Sequence, residues 1–236
     1  YAGSDEYSLE DIQLQIRRGE TIGIIGGTGS GKSTLINLIP RFYEATKGAV
    51  LVDGVNVKEY PFEQLRTQIV LVPQKATLFS GTIRENLQWR KENATDEEIA
   101  RALSIAQASE FVDALPEKYD AVIDQGGKNL SGGQKQRLTI ARALVGEPEL
   151  LILDDSASAL DFATDAALRQ AIRRETKNMT VILVSQRAST IRNANQIVVL
   201  DDGKISGVGS HAELLKTNEI YREVYESQQG GGAIDG

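Results

Sequence analysis

The sequence predicts an α/β fold: a largely parallel sheet core, a small antiparallel β piece near its front, and an inserted helical stretch. Three observations carry that prediction. A glycine-rich string, Gly26-Gly27-Thr28-Gly29-Ser30-Gly31-Lys32-Ser33, follows directly on the apolar run Thr21-Ile22-Gly23-Ile24-Ile25. Further short apolar runs stand at Ile69-Val70-Leu71-Val72, Leu150-Leu151-Ile152-Leu153, Val181-Ile182-Leu183-Val184 and Ile197-Val198-Val199-Leu200. Each is too short for a helix, is bounded by polar or turn residues, and suits a strand buried on both faces. Helical patterns fall between several of these runs, as a layered α/β architecture requires.

Taken in order, residues 21–25 form the first strand and the glycine-rich string turns it into a helix. Ala49-Val50-Leu51-Val52-Asp53-Gly54-Val55 carries an Asp-Gly turn signal and reads as a small hairpin. From about residue 84 to 145 the strand rhythm stops. Thr95-Asp96-Glu97-Glu98 is a capping box opening a helix through about Gln107, and Gln134 to Val145 has helical spacing at Leu138, Ala141 and Leu144. These bounds predict an α/β core over 1–83 and 146–227, a helical subdomain over 84–145 and a flexible tail over 228–236. A second capping box, Ser210-His211-Ala212-Glu213, opens a C-terminal helix and makes His211 a surface residue of its first turn, not a catalytic one. No internal repeat is present, and a further strand is expected ahead of Tyr1.

Composition narrows the function. The chain has 236 residues, 41% apolar and 25% charged, which is ordinary for a globular protein with a sizeable core. Its formal charge of −7 argues against broad nucleic-acid affinity, because a phosphate-binding face makes a domain basic. With no cysteine and one histidine it holds no disulfide, zinc cluster or Ser-His-Asp triad. No run approaches the roughly 18 apolar residues of a spanning helix, so any membrane link comes through other polypeptide. The start, Tyr1-Ala2-Gly3-Ser4-Asp5-Glu6, does not read as a signal peptide.

Residues 26–33 satisfy G-x-x-x-x-G-K-[ST], a pattern that arises by chance in roughly one chain in a hundred of this length. The spacing has a physical reason. The glycines let successive N–H groups of Gly26, Gly27, Thr28, Gly29, Ser30 and Gly31 point at a polyphosphate, and the helix behind them, from Lys32 through Thr34, offers its positive end. Lys32 reaches the outer phosphates and the Ser33 hydroxyl can hold Mg²⁺. Leu150-Leu151-Ile152-Leu153-Asp154-Asp155 is a strand ending in two carboxylates, where an acid such as Asp154 holds Mg²⁺ opposite the loop serine. Alone that ending is weak, since many buried strands end in Asp as a turn residue. Leu130-Ser131-Gly132-Gly133-Gln134 is a second anion cradle: small residues exposing N–H groups, a serine hydroxyl and a helix N-terminus behind. A plain Gly-Gly loop would not require the whole pentapeptide followed by Gln136-Arg137 and Ala141-Arg142-Ala143.

On these strings the chain, from Tyr1 to about Gln228, resembles the ATP-binding cassette (ABC) family, and most nearly the nucleotide-binding domains of exporter half-transporters. The resemblance implies a P-loop NTPase (RecA-like) core, ATP and Mg²⁺ as ligands, and a place at the cytoplasmic face of a membrane. It implies two partners: transmembrane domains, and a second cassette closing head to tail so that ATP on one loop meets Ser131, Gly132, Gly133 and Gln134 of the other. Tyr1 matches the aromatic that stacks on adenine. Gln74, after Val72-Pro73, matches the glutamine that senses Mg²⁺ and the attacking water. Ser158-Ala159-Leu160-Asp161 matches the loop that communicates between paired sites. Pro73-Gln74-Lys75-Ala76-Thr77-Leu78-Phe79 and Arg41-Phe42-Tyr43 look like exporter cassettes.

Two departures matter more than the matches. The family's strand end is Asp-Glu, the glutamate polarising water; here the second acid is Asp155, one methylene shorter. The family's switch histidine is replaced by Gln186, an amide that can hydrogen-bond a γ-phosphate but cannot become cationic. Together they predict weakened hydrolysis at this chain's own site, beside an intact signature string lent to a partner: the degenerate-site member of a heterodimer. In addition, Asp124-Gln125-Gly126-Gly127 stands where exporters often carry Gly-Glu-x-Gly. Three other readings fit parts of the pattern: a symmetric homodimer with slow sites, an ABC ATPase working on nucleic acid or ribosomes, and a regulatory ATP-binding module without turnover. The acidic balance and the lack of a long coiled-coil insertion oppose the second.

Overall fold

The computed structural model describes residues 7–156, 158–176 and 178–230. The first third of the chain contains β1 (Thr21–Gly26), α1 (Lys32–Leu38), β2 (Leu51–Val52), β3 (Val55–Asn56), α2 (Phe62–Gln68) and β4 (Ile69–Val72). The middle contains β5 (Gly81–Thr82), α3 (Ile83–Gln88), α4 (Asp96–Ile105), α5 (Ser109–Asp113), β6 (Val122–Ile123), α6 (Gly132–Val145) and β7 (Leu150–Asp154). The rest runs α7 (Phe162–Glu175), β8 (Thr180–Val184), α8 (Ala188–Ile191), β9 (Gln196–Asp201), β10 (Lys204–Gly209), α9 (His211–Thr217) and α10 (Glu219–Gly230). All five apolar runs are strands, and the fold is α/β with a mainly parallel sheet. Contacts divide the chain into two units, one of residues up to 69 with residues from 180 onward, the other of residues 70–179.

In the first unit the strand order is β10-β9-β1-β8. β1 lies between two parallel neighbours, with Ile22 opposite Gln196 of β9 and Ile182 of β8. Being paired on both edges and covered on both faces, β1 is buried from Ile22 to Gly26, which explains an apolar run without alternation. β10 adds antiparallel to β9, with a register shift between Ile205 and Gly207. The Asp53-Gly54 turn closes the β2–β3 hairpin with φ of 50° and 79°, the left-handed pair that a type I′ turn needs.

The last two helices pack back on this unit. Asn218 accepts from the Tyr221 N–H at 2.8 Å and donates to Ser206 Oγ at 3.0 Å, tying α10 to β10. Tyr221 is wholly buried, and its hydroxyl lies 2.8 Å from His211 Nδ1. The Tyr225 ring meets the His211 ring edge-on at 5.0 Å. His211 is therefore half-buried, not the surface residue its place in a first turn suggested, because α10 folds two tyrosines over it. Burial, with Arg192 nearby, pushes its pKa below the ordinary histidine value. Gln228 and Gln229, read from the sequence as the start of a flexible tail, belong to α10. Side-chain hydrogen bonds from Gln228 to residues 186 and 188 hold that last turn in place.

In the second unit β7 lies beside β4. α4 starts with the capping box read from the sequence, Thr95 and Glu98 each satisfying the other's backbone N–H. Its buried face, Ile99, Ala102 and Leu103, packs against α6, which buries Leu138, Ala141 and Leu144. α3 opens with another capping box, Thr82 with Glu85. Asn86, 3% exposed, accepts from the Phe79 N–H and donates to the carbonyls of Phe79 and Thr82, pinning the segment that follows β4.

Candidate nucleotide site

The glycine-rich string leaves the buried end of β1 and enters α1. Gly26 is held by close approach: a Cβ there would sit 2.3 Å from the Leu200 carbonyl oxygen of β9. Gly31, at φ 96°, is the N-cap of α1, and a Cβ there would meet Leu9 Cδ2 at 2.7 Å. Gly27 and Gly29 are the opposite case, since nothing lies within 4 Å of their Cβ positions. The loop is thus packed on one side and open on the other. Lys32 folds back over it, its Nζ donating to the carbonyls of Gly26 (2.8 Å) and Gly27 (2.6 Å) and reaching Ser30 Oγ at 3.4 Å. Neutral carbonyls are weaker partners for an ammonium than a phosphate oxygen is. Ser33 is exposed on the first turn of α1, with Thr34 half-buried beside it. An open backbone cradle, a cation above it and a hydroxyl at the helix start fit a polyphosphate. Behind the loop, Ser30 O accepts from the Gly203 N–H of the β9–β10 turn at 3.2 Å.

Gln186 follows β8 in the same unit and is exposed. The buried Ser185 before it turns the chain, its hydroxyl accepting from the Arg187 N–H at 3.0 Å.

The other predicted residues belong to the second unit. Asp154 ends β7 and Asp155 follows it, both half-buried. Asp155 sits at φ 44°, in the left-handed region that Asp tolerates better than most residues. Gln74, exposed after β4, donates its Nε2 to Asp155 Oδ2 at 3.3 Å. Two residues 81 positions apart are thus joined around the carboxylate. Hydroxyl, amide and carboxylate oxygens, as on Ser33, Gln74 and Asp154, are the hard donors that suit Mg²⁺.

Ser131 is the N-cap of α6, accepting from the Gln134 N–H at 3.2 Å, while Gln134 Oε1 accepts from the Ser131 N–H at 2.9 Å. The signature string is therefore itself a capping box, a role the sequence reading missed although the S-x-x-Q spacing announces it. A Cβ at Gly132 would meet nothing within 4 Å, so that face is open; one at Gly133 would lie 3.3 Å from the Ala159 carbonyl oxygen. Asp161 caps α7, and hydrogen bonds from the hydroxyl and backbone of Thr164 hold its carboxyl below the usual range. Tyr1 lies outside the described residues.

A cavity of about 250 Å³ also lies in the second unit, lined by Val72, Trp89, Arg90, Thr139 and Arg142 among others. Arg142 donates to the Thr77 carbonyl at 2.9 Å, while its buried Nη1 has no hydrogen-bond partner among the described residues. Burial lowers the pKa of both arginines. The exposed rings of Phe79 and Trp89 meet at 4.7 Å with their planes tilted by 32°.

A family model described as ABC transporter matches residues 9–158. The chain belongs to that family. Among curated ABC proteins it is 47% identical over 230 residues to YfiB of Bacillus subtilis (strain 168), named an uncharacterised ABC transporter ATP-binding protein. That match covers 98% of this chain and 40% of YfiB. It is 44% identical over 228 residues to a Staphylococcus aureus (strain NCTC 8325 / PS 47) protein provisionally named a multidrug export ATP-binding/permease protein, covering 97% of this chain and 39% of that one. Among solved structures, a bacterial Atm1-family ABC exporter with ATP bound superposes with a TM-score of 0.93 at 34% identity, over 97% of this chain and 40% of that one. The chain spans about two-fifths of the length of these ABC relatives.

Proposed function

We propose that this chain is the ATP-binding cassette of a heterodimeric ABC exporter, and that its own composite site binds ATP but hydrolyses it slowly. The observation that carries the reading is the pair Asp155 and Gln186, where the exporter pattern has a glutamate and a histidine. A water-activating carboxylate must lie within about 2.6–3.2 Å of its water, and a misplacement of ~1 Å costs on the order of a hundredfold. Asp155 is one methylene short and is engaged by Gln74. Gln186 offers an amide hydrogen bond to a γ-phosphate but no proton near neutral pH.

In this reading the backbone of residues 26–31 and the Lys32 ammonium hold the phosphates, and Ser33, Asp154 and Gln74 hold Mg²⁺. Mg²⁺ held there would neutralise charge on the phosphates. Adenine stacking is assigned to Tyr1 by the family resemblance alone. Residues 131–134 serve the other cassette: the open Gly132 face and the α6 N-terminus meet the nucleotide held by a non-identical partner. A non-identical partner is favoured because an intact signature beside a depleted site is asymmetric in use. The helical subdomain over 84–145 carries that signature. We place the transmembrane partner at the Phe79–Trp89 pair and its cavity, where exposed aromatic surface lies beside the buried Arg142 Nη1, which has no hydrogen-bond partner among the described residues. That partner puts the cassette at the cytoplasmic face of a membrane.

The purified chain, without any partner, is expected to bind Mg-ATP while turning it over about a hundredfold more slowly than a cassette with Glu and His at the two positions. Brisk hydrolysis by the lone chain, rising with the square of its concentration, refutes the reading and favours a symmetric homodimer. Loss of all turnover in the assembled transporter on Lys32→Ala, with the partner's site intact, refutes the division of labour.

A further inference from the structure

The loop that carries Gln186 is fastened from forty residues away. Gln228, near the end of α10, accepts from the Ala188 N–H through its Oε1 at 2.9 Å and donates from its Nε2 to the Gln186 carbonyl at 2.7 Å. One carboxamide therefore closes on the backbone either side of Arg187, as a neighbouring strand would. The local structure explains the need. α8 starts at Ala188 with Arg187 as N-cap and no side-chain cap of its own, so the Ala188 N–H is one of the orphan donors every helix start leaves. Ser185 Oγ takes the Arg187 N–H, and among the described residues the Gln228 carboxamide is the side-chain acceptor for the Ala188 N–H.

From this geometry we infer that Gln228 is a positioning residue for Gln186: it sets the backbone from which the Gln186 amide addresses the γ-phosphate. The inference rests on the reading of Gln186 given above. The chemistry at position 228 is narrow. Glu keeps the acceptor for Ala188 but turns an oxygen toward the Gln186 carbonyl, and Asn is a methylene short of bridging both groups. The clamp also gives the end of α10 a direct hold on the site, so anything that shifts that helix changes how the γ-phosphate is felt.

The experiment compares ATP and ADP affinity at this site in the full-length, assembled transporter, using fluorescent analogues of each, for Gln228→Glu, Gln186→Ala and the double variant. Losing one positioning hydrogen bond is expected to weaken ATP binding about tenfold in Gln228→Glu while ADP, which lacks the γ-phosphate, changes by less than about twofold. In the Gln186→Ala background the same change is expected to do nothing further, the non-additivity of residues acting as one unit. Equal weakening of ATP and ADP with a lowered melting temperature means a merely structural role and overturns the inference. Full additivity with Gln186→Ala overturns it as well. If Gln186→Ala alone leaves the ATP/ADP ratio unchanged, the reading of Gln186 fails, while a selective ATP effect of Gln228→Glu then shows that Gln228 acts through another residue.

Discussion

Restoring the family's glutamate and histidine is the sharpest test of the proposal that this site hydrolyses slowly. The change is Asp155→Glu with Gln186→His. The added methylene carries the carboxylate about 1.5 Å further from the backbone. At present Asp155 meets Gln74 at 3.3 Å, slightly longer than an ordinary N–H···O contact, so the shorter acid stands at the edge of its reach. Correcting a misplacement of that size is worth on the order of a hundredfold in turnover, within what a positioned base contributes. Backbone geometry works the other way. Position 155 lies at φ 44°, where Glu lacks the local hydrogen bonding that eases Asp, a cost of about 1 kcal/mol or a melting point some 3 °C lower. The assay is hydrolysis of radiolabelled ATP by the proposed heterodimer with the partner's site silenced, beside thermal melting of the cassette. Turnover should rise steeply while stability falls slightly. A gain below about threefold, with nucleotide still bound and the fold intact, refutes the argument that these two residues limit the site.

Further outcomes follow from single residues. Ser131→Ala removes the α6 cap and should destabilise the cassette by about 1 kcal/mol, read by denaturant unfolding, and in the proposed heterodimer should lower hydrolysis at the partner's site. Gly31→Ala forces a side chain into a left-handed N-cap against Leu9, and is expected to lower stability by about 1–3 kcal/mol and weaken ATP binding, measured by melting and titration. His211, half-buried with Arg192, Tyr221 and Tyr225 around it, has a depressed pKa. Its neutral form is the folded one, so its contribution is present above about pH 6.5 and is lost as pH falls below that. Unfolding measured from pH 7.5 to 5 should show that slope, and His211→Asn should flatten it.

Much of the sheet was legible because its strands are buried on both faces, which leaves runs such as Val181–Val184 without alternation. β10 was not read: Lys204-Ile205-Ser206-Gly207-Val208-Gly209 is a bulged edge strand with two glycines, and its pairing is decided by β9. The hairpin at Asp53-Gly54 and the caps at Thr95 and Ser210 were legible because turn and cap chemistry is local. The caps at Thr82 and Ser131 follow the same spacing, but at Ser131 the same residues also read as an anion cradle, which masks the cap. The place of the glycine-rich loop between β1 and α1 was legible from its spacing behind an apolar run. What could not be read was long-range: the meeting of Gln74 with Asp155, the left-handed backbone at Asp155, the burial of His211 under α10, and the reach of Gln228 to residues 186 and 188.

The inward fold of Lys32 bears on how fast a guest arrives. Its ammonium already rests within its own loop, held by two carbonyls five and six positions earlier in the chain. Making way for an anion needs only a turn about side-chain bonds, a motion of picoseconds to nanoseconds. Release of Lys32 from its loop should therefore not limit capture, and slowness in the cycle belongs to other steps.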